Sequence, residues 1–294
     1  MRKRAEFRIL AAVDGSAQAR AALAALVQGP WPDGARVRAV AARQVRGPHQ
    51  RSLLLTALDR RADDAAEHAR RTLAGRWPDA EAIVVDKSPI DGILSEAVRF
   101  RADMIAVGWR GHGAVRRLLM GSVSRGVVRG AQCAVLVVKR RPRAPFRHVL
   151  LAFDGSHNAR RAVSLVARLS PGRDGRVTLV GVAELMTPTS RGPSVGGIRA
   201  SIDRGLKQIN AERSKEAMRA LNGVAHELTR AGWRTRTELR TGEPLRELVD
   251  IASKSRPDVL VVGARGTSGI RHLLLGSVAQ GVLTLSPVPV LLAR

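Results

Sequence analysis

Gly108-Trp109-Arg110-Gly111 opens a glycine pattern that closes, after nine further residues, with Gly121-Ser122-Val123. The pattern returns 155 positions later as Gly263-Ala264-Arg265-Gly266, nine residues, and Gly276-Ser277-Val278. Each copy follows a short apolar run, so each predicts a buried strand that ends in a glycine loop and leads into a helix. Two such loops predict two sites at which a phosphate group can bind.

The repeat extends over nearly the whole chain. Residues 9–16 return as 149–156, at an offset of 140, and residues 103–139 return as 258–294, at an offset of 155. The difference predicts an insertion of about 15 residues in the second half, which we place at 186–215. Its first part, 187–197, is rich in turn-forming residues. We therefore predict an ordinary surface loop for the insertion, although a lid or a partner-binding loop is an open alternative.

Two domains of ordinary size follow from this repeat: residues 1–140 and residues 146–294. The residues between them are basic and contain proline, which is typical of a short linker. No apolar run approaches the ~18–20 residues of a membrane span, and from the basic start of the sequence we expect no secretory signal before the first strand. The only cysteine, Cys133, excludes an internal disulfide. We therefore expect a cytoplasmic protein.

The chain is strongly basic, with 50 Lys and Arg against 25 Asp and Glu and a net charge of +25. The excess is spread evenly instead of forming a cluster, whereas a dedicated nucleic-acid arm would be clustered. Specific nucleic-acid binding is therefore not expected. Nonspecific attraction to polyanions is expected, and a polyanion-binding function stays as an alternative.

Each half reads as alternating strands and helices. In the first half we predict strands at 8–13, 37–45, 81–86, 104–107 and 134–138, and helices at 17–27, 53–75, 89–100 and from about 122. This order predicts an α/β fold, with two tandem five-stranded parallel sheets and helices on both faces. In such sheets ligands bind beyond the carboxyl ends of the strands, where the winding reverses. Asp14 and Gly108 leave their strands there.

The loop residues fit phosphate binding. Glycine at 108 and 111 removes the Cβ atoms and permits positive φ, so that successive N–H groups can converge. Gly121 and Ser122 then start a helix whose first N–H groups favour an anion. The second half offers Gly263, Gly266, Gly276 and Ser277 for the same purpose. In the alternative reading, these glycines only turn the chain.

The glycine spacing, together with Val-Asp-Gly-Ser after the first strand, resembles the universal stress protein family in its tandem form. The resemblance implies a Rossmann-like fold of the adenine-nucleotide alpha-hydrolase type and one ATP in each half. It places Asp14 and Asp154 near the ribose and any Mg²⁺, and Ala42 and Val182 against adenine. The glycine loops with Ser122 and Ser277 would hold the phosphates, and Val123 and Val278 would contribute main-chain groups. Arg110 and Arg265 either neutralise phosphate charge or are solvated.

The leading hypothesis is a regulatory or stress-response protein whose ATP occupancy stabilises one conformation or assembly, read by an unidentified protein partner. No general base recurs in both halves, so we assign no catalytic residue, and a slow ATPase or autophosphorylating protein is the runner-up. The last strand of each half would leave an exposed sheet edge. We expect these edges to pair within the chain, and a homodimer stays open.

Overall fold

The computed structural model describes residues 6–43, 53–110, 120–142, 144–184, 186, 196–266 and 275–294. The first half consists of β1 (Arg8–Ala12), α1 (Ala17–Gln28), β2 (Arg36–Arg43), α2 (Leu53–Ala74), β3 (Glu81–Asp86), α3 (Pro89–Phe100), β4 (Met104–Gly108), α4 (Ser122–Gly130) and β5 (Ala134–Val138). The second half consists of β6 (His148–Ala152), α5 (His157–Arg168), β7 (Arg176–Ala183), α6 (Gly196–Arg230), β8 (Arg234–Thr241), α7 (Pro244–Ser255), β9 (Val259–Gly263), α8 (Ser277–Leu285) and β10 (Val290–Ala293).

All ten strands form one sheet, in the order β3-β2-β1-β4-β5-β10-β9-β6-β7-β8. Within each half every strand pair is parallel, which confirms the predicted α/β fold with two tandem five-stranded units. The winding reverses between β1 and β4 in the first half and between β6 and β9 in the second. The carboxyl ends of β1 and β4, and separately those of β6 and β9, therefore flank one crevice in each half, at which ligands bind in this type of sheet.

Helices cover both faces of the sheet and bury two apolar layers that each run through both halves. Neighbouring residues of β1 alternate between the layers: Ile9 and Ala11 face α1 and α2, whereas Leu10 and Ala12 face α3 and α4. Such continuous apolar strands are expected where both faces are covered. Among the described helices, none is both long enough and apolar enough to cross a membrane.

The two halves join through their last strands. β5 and β10 pair antiparallel, with Leu291 opposite Leu136, and the paired residues of β10 begin at Val290, directly after Pro289. The predicted pairing of the two edges within the chain is therefore present. Farther along the junction, the Arg168 guanidinium donates to Asp103 over 2.9 Å. The pairing removes one exposed edge from each half, so each keeps a single open edge, at β3 or β8.

The inserted segment differs from the predicted surface loop. Most of it is helix, because α6 has 35 residues whereas its counterpart α2 has 22. Met186 lies before this helix, and its main-chain N–H and carbonyl form hydrogen bonds of 3.0 and 3.1 Å with the side-chain amide of Asn210, within α6. Residues 187–195 lie outside the described part of the chain. The extra residues therefore lengthen α6 at its N-terminal end, on the side of the sheet where the strands end.

Candidate functional site

The turns that follow β1 and β6 have the same geometry. Asp14 Oδ1 accepts a hydrogen bond from the Ser16 main-chain N–H over 2.9 Å, and Asp154 Oδ1 accepts one from Ser156 over 3.0 Å. Gly15, between the first pair, has φ of 75°, a value that glycine adopts without strain. Both aspartates thus stabilise the turn after their strand, and both remain exposed at the carboxyl ends of the strands of their own half.

The first glycine of each loop is required by packing. A Cβ on Gly108 would lie 2.7 Å from the main-chain carbon of Gln18, and one on Gly263 would lie 2.8 Å from that of Asn158. These approaches let the start of α1 or α5 contact the end of the strand that leads into the loop. The interpretation that these glycines turn the chain is therefore incomplete, because their small size holds the helix against the strand.

The expectation of positive φ in the loops is wrong for every loop glycine that the structure describes. Positive φ occurs in the described residues only at other glycines and at Arg101 and Arg256. This correction covers Gly108 and, in the second half, Gly263 and Gly266; Gly111 lies outside the described residues.

Each loop returns to the strand end from which it started. The Gly121 N–H donates to the Trp109 carbonyl over 3.0 Å, and the Gly276 N–H donates to the Ala264 carbonyl over 2.8 Å. In the first half the buried Ser124 hydroxyl adds a bond of 2.6 Å to the carbonyl of Gly108. The start of α4 or α8 is therefore fixed beside the end of β4 or β9, as the phosphate-site prediction requires.

In the second half the strand exit also contacts the glycine loop. Ser156 Oγ donates to the Arg265 carbonyl over 3.2 Å. A Cβ on Gly266 would lie 2.6 Å from Asp154 Oδ2, so this carboxylate rests directly against the loop backbone. A Cβ on Gly276 would lie 3.3 Å from the Cα of Arg265. The structure thus brings the aspartate, the glycine loop and the start of α8 together.

The N-termini of α4 and α8 receive no hydrogen bond from an N-cap side chain, in contrast to those of α1, α3 and α5. Ser16, Ser88 and Ser156 each accept a hydrogen bond from a first-turn N–H of those helices. The N-caps of α4 and α8 are Gly121 and Gly276, with no capping side chain and no acidic residue in the first turn. The helix α7 also lacks a cap but carries Glu247 in its first turn. Among the six helices with a described N-cap, only α4 and α8 have neither a capping side chain nor an acidic residue in the first turn.

The remaining predicted residues lie around these helix starts. Ser122 and Ser277 are the first residues of α4 and α8, and their side chains are exposed. Val123 and Val278 pack their side chains into the apolar layer below, so only their main chain can face a ligand. Arg110 is half-buried at the start of its loop.

The two positions predicted to face adenine lie one strand away from the aspartates. Ala42 and Val182 are near the carboxyl ends of β2 and β7, which pair with β1 and β6. Both are half-buried, and Val182 packs against the apolar layer shared with α7 and α8. Ala42 packs close to α3: a Cβ added to Gly92, in the first turn of that helix, would lie 3.5 Å from the Cβ of Ala42.

Sequence reasoning did not include Ser156 or Trp109 among the site residues. Ser156 was detectable, because Asp-Gly-Ser occurs at both strand exits. Trp109 is replaced by Ala264 in the repeat, so the repeat gave no signal for it. Its indole is nearly buried, and the Lys139 ammonium lies 4.5 Å from the ring centre.

Metal ligands of protein origin are sparse at these sites. Throughout the described residues, no group of three or more His, Cys, Asp or Glu side chains is arranged to hold a metal ion. One carboxylate, Asp14 or Asp154, stands at each strand exit. That donor set fits Mg²⁺ held mainly by phosphate oxygens and water, which is how this ion commonly binds beside nucleotides.

A groove also lies elsewhere on the molecule and shares no residue with the predicted site. It has a volume of about 700 Å³, runs along α7, and is lined by Leu245, Val249, Leu285 and several charged residues. It lacks convergent main-chain donors and glycine loops. The chemistry of the strand exits therefore outweighs the size of this groove as a guide to the site.

Comparison with known proteins identifies the family and supports the fold. The universal stress protein family model matches residues 7–139 and again residues 145–294. Universal stress protein YxiE of Bacillus subtilis is 30% identical over 150 residues, which cover 51% of this chain and 99% of that relative. A universal stress protein of Mycolicibacterium smegmatis is 27% identical over 310 residues and covers 98% of this chain and 97% of its own length.

The crystal structure of a universal stress protein from Archaeoglobus fulgidus has the same fold. It superposes with a TM-score of 0.67 at 19% identity and covers 98% of both chains. The family model matches both halves, and together these matches span nearly the whole chain. The chain therefore belongs to the universal stress protein family, in its tandem two-domain form.

Proposed function

We propose that this protein binds one ATP in each half and acts as a nucleotide-dependent regulator. The observation that carries the proposal is the pair of helix N-termini at α4 and α8, which lack both a capping side chain and a first-turn acid. Their N–H groups and dipoles are suited to an anion. Each begins at a glycine that bonds to the end of the neighbouring strand, where ligands of this fold bind.

Each predicted residue then has a role. The loop glycines, with Ser122 or Ser277, would bind the phosphates, and Arg110 or Arg265 would offset part of their charge. Asp14 or Asp154 would contribute one oxygen to Mg²⁺, which would neutralise phosphate charge when bound. Ala42 or Val182 would border the adenine. The two binding units would be the domains 1–140 and 146–294.

A regulatory role follows from linkage. A ligand present at 100 times its dissociation constant stabilises the state that binds it by about 2.7 kcal/mol. The two sites lie in halves that share one sheet and two apolar layers, so occupancy of either site stabilises the joined arrangement. We propose that a partner protein recognises this state.

Substitution of aspartate for the first residue of α4 and of α8 tests the proposal. Ser122→Asp and Ser277→Asp place a carboxylate beside the expected phosphates. Each pair of like unit charges about 4 Å apart repels by roughly 1–4 kcal/mol, so repulsion from the several phosphate charges should prevent binding over the range of the titration. Because aspartate is favourable in a first helical turn, folding should be preserved. Ser201→Asp, at an exposed position of α6, is the matched control.

Calorimetric titration of nucleotide-free protein with Mg-ATP gives the answer. We expect two sites in the wild type and in Ser201→Asp, one in each single site variant, and none in the double variant. The affinity of the remaining site and the unfolding temperature should be unchanged. ATP binding that survives in the double variant would refute the assignment of these helices. ADP, AMP and cyclic AMP, titrated in parallel, establish which phosphates the site requires.

A further inference from the structure

Two basic side chains cross the junction between the halves and bind the ends of helices in the opposite half. The Lys139 ammonium, at the end of β5, donates to the carbonyls of Thr284 and Ser286 at the end of α8, over 2.8 Å each. The Arg294 guanidinium, after β10, donates to the carbonyls of Val128 and Arg129 at the end of α4.

These contacts are reciprocal, because Lys139 and Arg294 occupy equivalent positions of the repeat, 155 residues apart. Antiparallel pairing of β5 with β10 carries each side chain to the far side of the junction. The helices they reach are the two whose opposite ends form the proposed phosphate sites. Each helix has nine residues, so its two ends are only about 13 Å apart.

The physical effect of such a contact is twofold. The last carbonyls of a helix have no partner within the helix, and a cation there satisfies them and complements the dipole. The helix α8 has no basic residue of its own in its last turn, so Lys139 supplies this cation from the other half. Although burial and the nearby Arg140 lower the pKa of Lys139 to about 8, the side chain is mostly charged at pH 7.

We propose that Lys139 and Arg294 are positioning residues through which each half orients the phosphate-binding helix of the other. Lys139 fixes α8 and so the site of the second half, and Arg294 fixes α4 and so the site of the first half. The inference rests on the proposed ATP sites. It adds that each site depends on one side chain from the opposite half, so that loss of Lys139 or Arg294 weakens nucleotide binding in the other half.

The test measures each site separately, with the aspartate variants as backgrounds. Ser122→Asp leaves only the second site, and Ser277→Asp leaves only the first. We expect Lys139→Met to weaken Mg-ATP binding about threefold to fivefold in the Ser122→Asp background and less than twofold in the other, as expected for a charge at a helix end. Methionine keeps an apolar side chain against Trp109.

Arg294→Met should show the opposite selectivity, and Lys139→Arg should restore the affinity lost in Lys139→Met. Lys254→Met, at a surface ion pair on α7, is the matched control and should change neither site. Affinities are measured well below the unfolding temperature of each variant.

The outcomes separate this inference from the proposed function. Loss of affinity at the opposite site only, with rescue by arginine, supports it. Equal loss at both sites, or no loss in proteins that still bind ATP, overturns it and leaves the ATP sites intact. If the wild-type protein binds no ATP, the proposed function fails and the positioning role fails with it.

Discussion

Two glycines of the same loop, Gly263 and Gly266, face different neighbours. Alanine substitution at each position therefore distinguishes an effect on protein stability from an effect on ATP affinity. A Cβ at Gly263 would meet three atoms at 2.8–2.9 Å, including the main-chain carbon of Asn158 and the main-chain nitrogen of Ala159. A Cβ at Gly266 would meet Asp154 Oδ2 at 2.6 Å, and the next atom of that side chain lies 3.8 Å away.

The size of each effect on stability depends on which atoms must move to make room for the added Cβ. At Gly263 main-chain atoms of α5 must shift by roughly half an ångström, and such overpacking costs about 1–3 kcal/mol. The unfolding temperature should fall by about 3–10 °C. At Gly266 only the end of the aspartate side chain must rotate, so stability should change by less than about 0.5 kcal/mol. Mg-ATP affinity at that site should nevertheless fall about tenfold, because a charged contact is lost.

Thermal unfolding and calorimetric titration of both variants in the Ser122→Asp background distinguish these effects. Gly108→Ala, which meets the main chain of Gln18, repeats the Gly263 test in the first half. The reasoning would be refuted if Gly263→Ala kept wild-type stability. It would also be refuted if Gly266→Ala bound ATP as tightly as the background protein.

Two further predictions concern buried polar groups. Burial, together with Arg176, lowers the pKa of His148 below 6.5, so the unfolded chain takes up this proton first as the pH falls. The free energy of unfolding should therefore decrease below about pH 6.5 and less so in His148→Gln, measured by urea unfolding between pH 5 and 8. Trp233→Phe should cost about 1–3 kcal/mol more than Trp77→Phe in urea. The reason is that Trp233 Nε1 donates to the carbonyl of Val166, whereas Trp77 Nε1 is buried and has no hydrogen-bond acceptor among the described residues.

Sequence patterns predicted much of the architecture, because it depends on local apolar periodicity. The bounds of β3, α3 and β5 agree with the predicted ones, and the pairing of β5 with β10 follows from the rule that sheet edges are covered. The length of α6 was not predicted. Gly196, Gly197 and Gly205 lower the helix propensity of its first turns, and turn-forming residues precede them.

The site was predicted in part. The repeat identified the helix starts and strand exits, and the structure brings these together. The sequence could not show why glycine is required at positions 108 and 263. The requirement comes from close contact between a helix and a strand that lie about a hundred residues apart in the chain. The same holds for Lys139, whose partners on α8 lie 145 and 147 residues away. Contacts of this kind depend on how the halves are joined.

The measurement that tests the ATP sites most directly uses protein purified without added nucleotide. The protein is denatured, and the released nucleotide is identified by chromatography and counted against the chain. Two bound ATP molecules per chain are predicted, with about one in Ser122→Asp or Ser277→Asp. If no nucleotide is released, and added Mg-ATP fails to raise the unfolding temperature, the protein does not bind ATP at these helices and the account is contradicted.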